Sequence, residues 1–116
     1  MWHKTLLSLT LVMAASFAAP ATAGWPGIYW WQKEVGGSVR ACVARAKNAF
    51  DEEGFYDIKV DSHETADVGS VWGHTDNEAS YIICRKVDSG VVATVVVSGD
   101  NNKNIKRYRD LLRDAM

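Results

Sequence analysis

Two stretches of this sequence bring together side chains that could do chemistry. The first is DSHETADVGSVWGHTDNE, residues 61–78, which sets His63 and His74 among Asp61, Glu64, Asp67, Asp76 and Glu78. Imidazole nitrogens and carboxylate oxygens together suit a transition metal. If the segment doubled back on itself, His63, His74, Asp61 and Asp76 would converge on one ion. The spacing matches no ligand motif such as His-Glu-x-x-His, and the same polar residues also belong in exposed turns.

The second stretch is GWPGIYWWQKEVGG, residues 24–37, with Trp25, Tyr29, Trp30 and Trp31 inside seven positions. Tyrosine and tryptophan combine a large apolar surface with a polar handle, so interfaces use them heavily, but cores use them too. Trp30 and Trp31 are adjacent, and an extended backbone sends neighbours to opposite faces. One is therefore expected in the core and the other outside, available to a partner.

Lys103, Lys106, Arg107, Arg109 and Arg113 form a basic cluster near the C-terminal end. Asp100, Asp110 and Asp114 dilute its field, so a solvated helix face is expected rather than a nucleic-acid site. Catalytic motifs are missing: there is no Gly-x-Ser-x-Gly elbow and no phosphate-cradling glycine loop. Ser62, Ser70, Ser80 and Ser98 read as strand-end or loop serines, and no spacing selects one as a nucleophile. The expectation is a protein that binds rather than catalyses and carries no cofactor, with weak metal binding by residues 61–78 as the alternative.

The elements that must position these groups begin after residue 23. Lys4 precedes an uncharged, largely apolar run from Leu6 to Ala19, and Pro20 leads into Ala21-Thr22-Ala23. That is the pattern of a cleaved export signal, and the run is short of the roughly 20 residues a membrane span needs. Residues 24–116 are then the mature protein, expected to be periplasmic or extracellular and without stable membrane insertion. Losing Lys4 leaves 12 basic against 14 acidic residues and moves the formal charge from -1 to -2. A near-neutral balance gives no bulk attraction for nucleic acid or an anionic membrane. The partner expected is a protein or another ligand of the cell envelope; no motif specifies its identity or the oligomeric state.

Cys42 and Cys84 are the two cysteines, separated by 41 residues. In an oxidising compartment an even count in a small chain reads as a disulfide. Closing such a loop contributes about 4 kcal/mol through the entropy of the unfolded chain.

Apolar residues at Val39, Cys42, Val43, Ala46 and Phe50 make one helical stripe, with Ser38 as N-cap and Gly54 as stop. Four segments with strand character follow. FYDIKV alternates, with Tyr56, Ile58 and Val60 on one face; VGSVWGH is thinned by Gly69 and Gly73, which suggest a bulge or an edge; ASYIICRKV and VVATVVVSG are stronger. Polar turns at 75–78 and 88–90 make the last three an antiparallel meander. After the polar loop 100–104, a second helix carries Ile105, Tyr108, Leu111, Leu112 and Ala115 on one face.

The resulting expectation is a single α+β domain over 24–116: an antiparallel four-stranded sheet with two helices on one face, in the order α-β-β-β-β-α. A Cys42–Cys84 bridge turns the Cys84 face toward the helix and sends Tyr81 and Ile83 to the other side. The aromatic arm 24–37 is a possible fifth, N-terminal edge strand. Because Val91–Val97 is apolar on both sides, that second face is expected to be covered, with the arm's aromatics as the cover.

Overall fold

A computed structural model describes residues 27–116; residues 1–23, expected as an export signal, and Trp25 lie outside the described residues. The elements are β1 (Gly27–Val35), α1 (Val39–Glu52), β2 (Tyr56–Val60), β3 (Val68–His74), β4 (Glu78–Val87), β5 (Gly90–Gly99) and α2 (Asn102–Ala115). The strands form one five-stranded antiparallel sheet in the order β1-β5-β4-β3-β2.

The helix boundaries follow from capping. The Ser38 side chain accepts from the Ala41 amide at 3.1 Å, and Gly54 takes φ +77, the left-handed conformation that ends a helix. In the polar loop 100–104 Asn101 caps α2, its side chain accepting from the Asn104 amide at 3.1 Å. The 75–78 turn closes through Thr75, whose amide donates to the Glu78 carbonyl at 2.8 Å.

The helix-facing side of the sheet is set by pairing. Cys84 opposes Ala93 and Gly69, and Ile82 opposes Val95 and Val71, so these side chains share one face. They are at most 1% exposed wherever a side chain is present to bury, and they join Cys42, Ala46 and Phe50 of α1 and Ile105 and Leu112 of α2 in one core. The Cys42–Cys84 disulfide lies inside it and ties α1 to β4 across a Cα–Cα distance of 6.0 Å. Gly69 has a packing reason to be glycine: a Cβ there would sit 2.7 Å from Val43 Cγ2 of α1.

The structure corrects four expectations. The possible N-terminal edge strand is present, residues 27–35 pairing with β5 over nine positions, so the order is β-α-β-β-β-β-α and the first helix is not the first element. The described part of the arm, residues 27–35, does not cover the second face: hydrogen bonding to β5 puts it in the plane of the sheet, where it widens the sheet but does not lie across it. Strand β5 is consequently covered on one side only among the described residues, with Val91, Ala93, Val95 and Val97 buried and Val92, Thr94 and Val96 half-buried.

The fourth correction is in β2. Tyr56 pairs with His74 and Lys59 with Trp72, so two residues three apart share a face and strict alternation fails. A bulge lies between them, at Asp57, whose φ of +51 is left-handed. The irregularity expected of β3 from its glycines therefore belongs to its neighbour. Its effect is to release Tyr56 to the open side while Ile58 packs on the core.

Candidate functional site

The open face is organised by register into transverse rows. Trp30 opposes Val96, Val96 opposes Tyr81, Tyr81 opposes Trp72 and Trp72 opposes Lys59, so one row crosses all five strands. The next row holds Ile28, Ser98, Ala79, His74 and Tyr56. Exposure is 60% for Trp30, 66% for Ile28, 41% for Trp72 and 39% for Tyr81. Between Trp72, Tyr81, Ala79, Val96, Ser98 and His74 the face hollows into an open groove of about 520 Å³.

Polar contacts hold the walls of this surface. Tyr81 Oη lies 3.0 Å from Ser70 Oγ, and Ser70 in turn donates to Asp61 Oδ2 at 3.4 Å. Lys59 Nζ sits 5.1 Å from the Trp72 ring centroid, a cation–π contact that orients the indole. Both contacts restrict the orientation of the Tyr81 and Trp72 rings.

At the groove's rim, His74 donates from Nδ1 to the Thr75 carbonyl at 3.0 Å and meets Asp57 Oδ2 at 2.9 Å through Nε2. The Thr75 carbonyl first, then the Asp57 carboxylate, favour the charged ring and hold His74 above the usual histidine range. Tyr56 stacks edge-on against the imidazole at 4.5 Å and hydrogen-bonds Asp76 through its hydroxyl, which raises the phenol's pKa.

The residues of the 61–78 segment are thus distributed rather than gathered. Asp61 accepts from the His63 amide at 2.9 Å in a local turn, Asp76 serves Tyr56, and His74 serves Asp57. His63 precedes β3 and His74 ends it, and the ring nitrogens of His74 are engaged by Thr75 and Asp57 rather than by His63 or Asp61. Glu78 is buried, with Oε1 accepting from Thr75 Oγ1 at 2.7 Å and Oε2 unpartnered. Among the described residues no group of three or more His, Cys, Asp or Glu is placed to hold a metal ion.

Of the arm's aromatics, Tyr29 and Trp31 point to the helix side and Trp30 to the open side. Tyr29 packs on the core, but neither tryptophan is buried, since Trp31 is 46% exposed. Trp31 lies at the sheet's edge, beyond the reach of the main core, and α2 meets it with cations: Arg109 and Arg113 stand 5.5 and 5.2 Å from its ring centroid. Part of the basic cluster is accordingly not a solvated face. The Arg109 side chain is 14% exposed and bonded to Asp110 at 2.8 Å.

Trp72 and Tyr81 are the site residues that the sequence reading did not single out. The signal was present, because fixing Cys84 toward the helix sends Tyr81 outward, and strand pairing then carries Trp72 and Trp30 into its row. No protein-family model matches this chain, and no curated protein matches it either.

Proposed function

We propose that this is an exported, non-catalytic interaction protein that engages a protein partner with the open face of its sheet. The observation that carries the reading is the aromatic row Trp30–Tyr81–Trp72, in register across the sheet and left uncovered by either helix. A contiguous exposed apolar surface of this kind costs solubility, and interaction sites are where proteins bear that cost. Aromatic side chains prearranged on rigid strands are the usual anchors of protein interfaces.

Export is supported by the pattern of residues 1–23 and by a buried disulfide, which persists in oxidising compartments. The non-catalytic reading is supported by His74, the one histidine at the groove, having both ring nitrogens engaged by Thr75 and Asp57.

The test is site-specific photo-crosslinking in cells. A probe at Thr94, central on the open face, is expected to trap a discrete protein adduct, while one at Lys47, on the exposed side of α1, is not. Equal adducts from both positions, or none from Thr94, would overturn the reading.

A further inference from the structure

We infer that the partner of the open face is a second copy of this chain, bound face to face about a two-fold axis running along β5. This rests on the open face being the interaction surface, and it follows from the register of the two strands that flank β5.

Trp30 of β1 and Tyr81 of β4 both oppose Val96, Ile28 and Ala79 both oppose Ser98, and Glu34 and Arg85 both oppose Val92. A two-fold rotation along β5 exchanges its two sides and keeps every row. It therefore lays β1 of each copy over β4 of the other, as an isologous interface requires. The groove straddles β4, in the rows of Trp30 and Ile28. Those two residues are the most exposed large apolar side chains among the described residues, at 60% and 66%. Projection and hollow thus sit on one face, one strand to either side of the axis and in the same rows. The rotation sets the knob of each copy over the hollow of the other.

Charge follows the same symmetry. Glu34 and Arg85 are exposed, and neither forms an ion pair among the described residues. The rotation sets Glu34 of one copy over Arg85 of the other, twice. An axis across the strands would instead reverse the rows and stack β1 on β1, with no cation opposite Glu34. The strand on the axis presents Val92, Thr94, Val96 and Ser98, small enough for two sheets to approach to the usual spacing of about 10 Å. Three overlapping strands cover roughly 400 Å² in projection on each copy, and side-chain relief brings the total to about 1,000 Å², the lower end for a specific interface. The geometry calls for a reversible dimer.

Sedimentation velocity on the oxidised, exported protein, over a micromolar dilution series, is the test. A monomer–dimer equilibrium is expected. Trp30→Ser should weaken it by about tenfold or more with the circular dichroism spectrum unchanged. Glu34→Arg and Arg85→Glu should each weaken it, and the two together should restore it. A monomer at every concentration overturns the second copy as partner, and if the Thr94 probe still traps a different protein, the interaction reading stands without it. A dimer indifferent to Trp30→Ser, or one that the double charge exchange fails to restore, overturns the β5 axis.

Discussion

On β5, Val91, Ala93, Val95 and Val97 are at most 2% exposed, while Val92 and Val96, one residue along the chain, are only half-buried. The residue types are the same, so the difference lies in what stands opposite. The odd-numbered side meets two amphipathic helices, one of them tied down by Cys42–Cys84. The even-numbered side has only its lateral neighbours and no covering element among the described residues. Burial in this protein is a property of docking rather than of composition. The face that has apolar residues but no cover among the described residues is the one we propose for a partner.

The heaviest blow to the covered side is loss of its staple. The double change Cys42→Ala/Cys84→Ala should lower the free energy of unfolding by about 4 kcal/mol, read from urea denaturation, a large part of what a domain of this size possesses.

A matched pair tests the faces most directly. Val95→Thr keeps shape and β-branching but buries a hydroxyl among apolar neighbours, and should cost about 2 kcal/mol. Val96→Thr, next in the chain, should cost less than about 0.5 kcal/mol in dilute protein, where association does not contribute. Equal costs would mean the two faces are not the different environments described.

Between these extremes lies the edge, where Trp31 is held by Arg109 and Arg113. Trp31→Ala should destabilise by about 1 kcal/mol, and the loss should shrink at high salt because part of it is electrostatic.

The smallest effect belongs to the rim of the open face. His74 is held above its usual pKa in the folded state, so its contribution is complete below about pH 6.5, the ordinary histidine value, and declines as pH rises through the raised value. The unfolding midpoint should therefore drift down on going alkaline through that range. In His74→Gln the drift should vanish. A drift in the opposite direction would break the Thr75–His74–Asp57 arrangement as described.

Much of the covered side is legible in the sequence. The stripe from Val39 to Phe50 defines α1, Ser38 and Gly54 bound it, and two cysteines in a short chain define the staple. The open side is less legible, for two physical reasons. Period-two alternation specifies that β5 has two apolar faces but does not say whether a second cover exists. The arm's aromatic residues suit a cover as well as a strand, yet the backbone groups of residues 27–35 are satisfied on the free edge of β5, and pairing there removes that part as a cover. Tyr56 was misplaced because a single left-handed residue, Asp57, shifts the phase of its strand, and Asp is one of the residue types that tolerates this conformation without announcing it.

By itself the sequence determined the identity of the local elements, their caps and turns, and the cross-link, because these depend on spacings of a few residues and on the chemistry of two thiols. The β3-β4-β5 meander was legible too; only the tertiary structure decided that β1 takes the free edge of β5, and hence that Trp30 joins Tyr81 and Trp72 in one row. Register is a long-range choice: the pairing that turns Ile82, Val95 and Val71 toward the helices is the same pairing that sets Trp30, Tyr81 and Trp72 side by side on the face left uncovered among the described residues.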